Sequence, residues 1–149
     1  MNLEFSGAPE IPAPRAKVWT RLMDPNFVAA SAPGVESVEA VDPAHFKVIS
    51  GLGVGAIKVK FKLDVELFDI VDGERLKMRA QGKAPGSAVD VISAVQLEDT
   101  PAGGTRLHWV AKSEVSGTVA SVGARLLEGT ARRLTEQFWT DFARRVGTG

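Results

Sequence analysis

From Ile57 to Leu67 apolar and polar side chains alternate without a break. Ile57, Val59, Phe61, Leu63, Val65 and Leu67 share one parity, and Lys58, Lys60, Lys62, Asp64 and Glu66 share the other. A period of two puts successive side chains on opposite faces of a strand. One face is therefore dry and the other wet, the pattern of an antiparallel sheet rather than of a parallel sheet covered on both sides. Such a strand needs neighbours, and turn chemistry supplies them. Asp42-Pro43, Asp72-Gly73, Pro85-Gly86 and Thr100-Pro101-Ala102-Gly103-Gly104 punctuate the chain. Strands are predicted over 35–42, 44–52, 57–68, 74–84 and 88–98. A last one carries Leu107, Trp109, Ala111, Ser113 and Val115 on its inward face.

The flanks have a different period. Pro12 and Pro14 stop a first strand, and Pro14 suits the first position of a helix bearing Val18 and Leu22 on one face, with Trp19 beside them. Asp24-Pro25 reads as N-cap and first residue of a second short helix, running through Ala30 and ending before Pro33-Gly34. After Val115 the chain reads as one helix over about 117–146, with Leu126, Thr130, Leu134, Phe138 and Phe142 every four residues and Gly147 as its stop. Such a helix would be about 40–45 Å long. The 149 residues suit one domain, 1–149. The expected class is α+β: a curved antiparallel sheet of about seven strands around a long C-terminal helix, with two short helices after the first strand. Trp139 follows inward Phe138 and is rotated about 100° from it, off the buried stripe, which makes it either a candidate exposed partner contact or a side chain partly buried under a neighbouring loop.

The turns imply a register. Two-residue turns at Asp72-Gly73 and Pro85-Gly86 set Leu67 opposite Met78, Val65 opposite Ala80, Met78 opposite Ser93 and Gly82 opposite Val89. A short loop around Gly103 sets Val95 opposite Leu107 and Val91 opposite Ala111. The rows Leu76–Val95–Leu107 and Leu67–Met78–Ser93–Trp109 are then bulky, while Val65–Ala80–Val91–Ala111 and Leu63–Gly82–Val89–Ser113 are small. The helix opposite is likewise small in its first half, at Gly117, Ala120, Gly123, Ala124 and Gly129. Interiors pack to crystal-like density, so the small end either closes or holds something else. The expectation is a tapered apolar cavity there. Its lining would be Val59, Phe61, Leu63, Val65, Met78, Ala80, Gly82, Val89, Val91, Ser93, Trp109, Ala111 and Ser113 from the sheet, with Val122, Leu126 and Thr130 from the helix. In the competing reading Gly and Ala only let helix and sheet approach closely.

Catalytic and metal chemistry find little support. Without cysteine there is no disulfide, thiolate zinc site or thiol nucleophile, and without tyrosine no phenolic acid. His108 is expected to face solvent, and His45 to sit beside a turn, neither sharing a clear face with a carboxylate; the interior then holds no group titrating near neutrality. No G-x-S-x-G elbow is present, and Gly51-Leu52-Gly53-Val54-Gly55 lacks the Lys-Ser/Thr and helix of a phosphate loop, so it reads as a flexible lip between strands. Lys58, Lys60 and Lys62 form an outer stripe read as a solvated face. Ser93, Ser113 and Thr130 are inward polar groups that either orient a ligand or bond nearby backbone. Eighteen basic against eighteen acidic residues argue against nucleic acid as a partner. No signal peptide or membrane-spanning run is seen.

Several motifs match a known family. Glu10-Ile11-Pro12-Ala13-Pro14, Val18-Trp19, Asp24-Pro25 and Pro33-Gly34-Val35-Glu36 resemble the CoxG family of carbon monoxide dehydrogenase subunits. So do the Gly53-Val54-Gly55 loop leading to Lys58 and the run Arg125-Leu126-Leu127-Glu128-Gly129-Thr130-Ala131-Arg132-Arg133-Leu134. The first motif is shared by many START-like, helix-grip domains. The resemblance implies a helix-grip fold with a hydrophobic ligand cavity. It also implies an accessory role beside a molybdenum-containing CO dehydrogenase or related hydroxylase, in membrane docking or coupling to quinone, with no catalytic residues to carry over. Longer members continue into a membrane-anchoring tail beyond the position of Gly149, so the expectation here is a cytoplasmic carrier or adaptor with at most peripheral contact at the inner face of the membrane. No cofactor is expected. The partners expected are an apolar small molecule or lipid, a quinone among them, and a molybdenum hydroxylase complex, with the chain monomeric or homodimeric. A helix-grip cyclase or hydrolase, and a packed interaction subunit, are the alternatives.

Overall fold

Proline and aspartate place the first helices where backbone chemistry dictates. In the structure, a computed structural model that describes residues 1–148, strands β1 (Asn2–Gly7) and β2 (Glu10–Ile11) precede helix α1 (Arg15–Leu22). Pro14 caps α1 in an extended conformation and so lies one residue ahead of the predicted position. Helix α2 (Pro25–Ser31) begins at Pro25, and the Asp24 carboxylate accepts from the backbone N–H groups of Asn26 and Phe27, satisfying donors that an N-terminus leaves free.

Six strands in hairpin succession follow: β3 (Val35–Asp42), β4 (His45–Val54), β5 (Ile57–Val71), β6 (Arg75–Ala84), β7 (Ser87–Asp99) and β8 (Thr105–Gly117). All pairs are antiparallel. The sheet order is β1-β8-β7-β6-β5-β4-β3, with β2 also on β8. The alternation predicted in β5 is observed: Val59 and Phe61 are buried while Lys58, Lys60 and Lys62 are exposed. The Gly-rich stretch is mostly strand, because Val54 already pairs with Ile57 across a two-residue turn.

A 3-10 turn (Thr118–Val122) and helix α3 (Ala124–Thr148) complete the fold. The predicted single helix from about 117 is thus two pieces. Val119 and Val122 keep a helical spacing, but Gly117 and Gly123 adopt φ of +86° and +103°, which a continuous right-handed helix excludes. The 25 residues of α3 span about 37 Å, and the helix continues through Gly147 rather than stopping there. Its inward stripe is Leu127, Thr130, Phe142 and Val146, with Leu134, Phe138 and Trp139 half-buried. Leu126 lies outside that stripe, 45% exposed.

The observed β5–β6 and β6–β7 registers match the expected ones over most of their length, including Leu67 with Met78 and Gly82 with Val89. The β5–β6 turn has three residues, 72–74, because Val71 pairs with Arg75 after a register shift beyond Phe68. Between β7 and β8 the register differs by two residues. Val95 faces Trp109, Ser93 faces Ala111, Val91 faces Ser113, and Val89 faces Val115. The cause is the length of the connection. Thr100–Gly104 forms a five-residue loop, closed by Gly104 N–H donating to Thr100 Oγ1 and Thr100 N–H donating to the Gly104 carbonyl. A slip of two keeps inward residues inward but moves each by one row.

The interior has two packed clusters. One joins Ile11, Val18, Trp19, Leu107 and Trp109 to Phe142 and Val146 of α3. The other joins Val54, Val59, Phe61 and Val115 to Val119 and Leu127. Trp19 is fixed by its indole N–H donating to Asp72 at 2.8 Å, which ties α1 to the β5–β6 turn.

Candidate functional site

Between the clusters the sheet carries small side chains in one place. Because β8 is displaced by two residues, Ala111 lies opposite Ser93, and Ser113 takes the place expected for Ala111. The α3 backbone meanwhile approaches β2, β4, α1 and α2 more closely than the central strands β5–β8. Large side chains at one end, chiefly Trp109, Phe138 and Trp139, keep helix and sheet apart. The unfilled space is a cavity of about 340 Å³. That lies near the lower end of ligand-pocket volumes.

Its floor is Val65, Leu67, Met78, Val91, Ser93, Val95 and Ala111, and its far wall is Phe46, Val48, Val35 and Val38. The roof is Leu22 and Met23 at the end of α1, Pro25, Val28, Ala29 and Ala32 of α2 and its cap, and Phe138 and Trp139 of α3. Val28, Val65, Met78, Val91 and Phe138 are only half-buried, as expected for side chains facing a void. No lining side chain titrates. Ser93 is the one hydroxyl, and the Trp139 indole carries the only other side-chain N–H or O–H donor.

Of the residues expected to line a cavity, Val65, Met78, Val91, Ser93 and Ala111 meet here. Ala80 is buried between Val65 and Val91 but does not line the space. Trp109 belongs to the first packed cluster. Val59, Phe61, Leu63, Val89 and Val122 belong to the second. Gly82 is buried among them, and a Cβ there would lie 2.7 Å from Val89 and 2.8 Å from Leu63. Those side chains occupy the room that glycine leaves, so at that end the close-approach reading describes the packing. Ser113 is half-buried and Thr130 buried, both outside the lining; exposed Leu126 covers the turn at Gly55. The residues missed by sequence reasoning come mainly from α2, β3 and β4. Val28, Ala29 and Ala32 share a helical face, but nothing local shows which way that face turns.

Trp139, expected outside, points inward. It stacks on Trp109 with ring centroids 5.7 Å apart and meets Phe142 edge-on at 5.7 Å. α3 has two adjacent inward positions here, Phe138 and Trp139, and both line the cavity.

His45 also differs from expectation, because it lies between carboxylates. Its Nδ1 is 2.8 Å from Asp42 and its Nε2 3.6 Å from Glu66, its partner on β5. The hydrogen bond from the His45 ring to the Asp42 carboxylate raises the His45 pKa and lowers that of Asp42, although all three side chains are about half exposed. The two carboxylates address opposite ring nitrogens, so they do not converge on one point. Among the described residues no group of three or more His, Cys, Asp or Glu is arranged to hold a metal ion. Nor is any helix long and apolar enough to cross a membrane.

A sequence profile of CoxG, a family of carbon monoxide dehydrogenase subunits, matches residues 7–147. The chain belongs to the CoxG family. Among solved structures, this CoxG-family chain is similar to a conserved protein from Geobacillus kaustophilus at a TM-score of 0.89 and 26% identity, over 98% of this chain and 96% of that one. It also resembles the Zhui aromatase/cyclase of Streptomyces sp. R1128 (TM-score 0.73, 14% identity, 98% and 94% covered). A third is Ara h 8.0201 (TM-score 0.71, 14% identity, all of both chains covered). The last two likenesses concern the fold alone, which is the helix-grip fold. No curated protein sequence matches the chain.

Proposed function

We propose that this CoxG-family protein is a non-catalytic carrier that takes one neutral, largely apolar molecule into the cavity under α2, a quinone or isoprenoid-like lipid, and presents it to a molybdenum hydroxylase. The carrying observation is the cavity itself: about 340 Å³, open-walled, apolar, and supplied with one inward hydroxyl, Ser93. A lining without a titratable group favours carriage over acid–base chemistry, since the aromatase/cyclase type of reaction needs a positioned proton donor or acceptor. It also favours a neutral ligand, because a buried charge without a partner costs several kcal/mol or more. The volume suits a ring and a short side chain, so a longer isoprenoid tail would pass out beneath α2. The hydroxylase is supported by the family's description as a component of CO dehydrogenase. In this reading the protein works in the cytoplasm and touches the membrane only at its surface.

The test begins with native mass spectrometry of protein purified without detergent, where an apolar adduct is expected. Titration with N-phenyl-1-naphthylamine, a neutral apolar fluorophore, then reports the cavity, and a short-chain ubiquinone should displace it. Ser93→Ala should weaken the quinone, whose carbonyl accepts from the hydroxyl, by about two- to tenfold and leave the fluorophore unchanged. Binding of neither compound refutes carriage; fluorophore binding without displacement refutes the quinone.

A further inference from the structure

The roof of the cavity is held in an unusual way. Helix α2 has only seven residues, too few to be stable by itself, so contacts with the rest of the protein set its position. Its inward side chains Val28 and Ala29 line the void, and Val28 also packs against the edge of the first core cluster. On its other flank, Arg145 of α3 reaches across the seam. One guanidinium nitrogen donates to the Phe27 carbonyl at 2.7 Å and to Ser31 Oγ at 2.6 Å. The same guanidinium sits 4.1 Å from the centre of the Phe27 ring, whose edge meets Phe142 at a centroid distance of 5.8 Å. Among the described residues Arg145 forms no ion pair, although its neighbour Arg144 pairs with Asp141. This half-buried cation is thus committed to α2.

The ends of the segment are suited to pivoting. Upstream, Asp24 caps α2 from the junction with α1, so the helix holds its own first turn without help from elsewhere. Downstream, Gly34 takes φ +78°, and its carbonyl accepts from Gly51 N–H at 2.8 Å, which fastens that end to β4. A Cβ at Gly34 would strike the Gly51 carbonyl, so the anchor point needs glycine. Apart from the Asp24 cap, Arg145 is the only side chain outside α2 that hydrogen-bonds to it among the described residues.

We infer that segment 24–33 is the gate of the cavity and that Arg145 is its latch. The inference rests on the proposed carriage. When the Arg145 contacts release, α2 swings about Asp24 and Gly34 and uncovers the void; when they re-form, α2 again covers the part of the bound molecule that lies under it. A latch of this kind sets exchange rates more than affinity, because it stabilises the closed state with or without cargo. Phe27 adds direction, since the ring that touches the guanidinium also leans on Phe142 and must leave it for α2 to lift.

The experiment uses the whole chain and N-phenyl-1-naphthylamine. Equilibrium titration comes first; failure of the parent protein to bind overturns carriage, and the gate with it. Given binding, stopped-flow mixing compares the parent with Arg145→Met, Ser31→Ala and, as a control on the exposed start of α3, Arg125→Met. Arg145→Met is expected to speed uptake and release by about tenfold or more, with the dissociation constant within about threefold. Ser31→Ala, a smaller change, should give about threefold, and Arg125→Met no change. Amide hydrogen exchange should rise in residues 24–33 of Arg145→Met while β5–β7 stay protected. Faster exchange of α2 with unchanged probe rates overturns the gate, and unchanged exchange of α2 overturns the latch. If Arg145→Met loses protection throughout the sheet, Ser31→Ala decides: unchanged rates there overturn the proposal.

Discussion

Replacing Ala111 with phenylalanine separates a true void from a loosely drawn core. Ala111 lies opposite Ser93 and lines the cavity. A phenylalanine side chain fits easily within about 340 Å³. The ring would add apolar surface to a space already lined by apolar groups, and burying a phenylalanine side chain contributes about 1.5–3 kcal/mol at best. Against that stands the rearrangement of Met78 and Phe138 around it. The expected balance is within about 1 kcal/mol of the parent, and for a chain of this length that is a shift in Tm of no more than about 4 °C. The comparison is Gly82→Leu, where a Cβ alone would already lie 2.7 Å from Val89 and 2.8 Å from Leu63. Overpacking of that kind costs typically about 1–3 kcal/mol. Thermal unfolding of ligand-free protein should therefore show the larger residue tolerated at Ala111 and the smaller one penalised at Gly82. Fluorophore titration of Ala111→Phe should show affinity lost by about tenfold or more, and Gly82→Leu, at a temperature where it is folded, should bind as the parent does. Equal destabilisation by the two substitutions would refute the void, and undiminished binding by Ala111→Phe would place the ligand elsewhere.

Trp139→Ala should cost about 3 kcal/mol in chemical denaturation by removing a ring stacked on Trp109 and packed on Phe142, and should leave the oligomeric state alone; an unchanged midpoint would return Trp139 to the surface. His45 should titrate above the ordinary histidine value of about 6.5 in an NMR pH series, and Asp42→Asn should bring it back down. Since the folded pKa is raised, the contribution of His45 is fully present below about pH 6.5 and lost as pH rises through the folded value; that of Asp42, whose pKa is lowered, is present above its ordinary value and lost on acidification. The two describe one hydrogen bond and are not added. Fluorophore affinity, by contrast, should stay flat between about pH 6 and 8, because no lining side chain titrates there.

Local chemistry was enough for much of this fold. The unbroken alternation of β5, the Asp24-Pro25 cap and the turns at Asp72-Gly73 and Pro85-Gly86 each depend on residues within a few positions of one another. Strand parity, the α2 boundary and the β5–β6–β7 register could therefore be read directly. What the sequence could not determine depended on where distant segments met. Loop 100–104 carries several turn-forming residues and admits more than one length of hairpin; its choice of five residues moved β8 by two positions and with it the row where small side chains coincide. Glycines at 117 and 123 were visible as letters, but only their left-handed φ values broke the helix and turned its stripe from Leu126 to Leu127. The small end filled because Leu63 and Val89 leaned into the space over Gly82, a matter of side-chain direction that no pattern encodes. The roof came from α2, whose apolar face has the same periodicity whether it packs or faces a void. Composition determined that the interior is apolar, and tertiary packing decided where it is empty, because a cavity is a property of how volumes from several elements fail to meet.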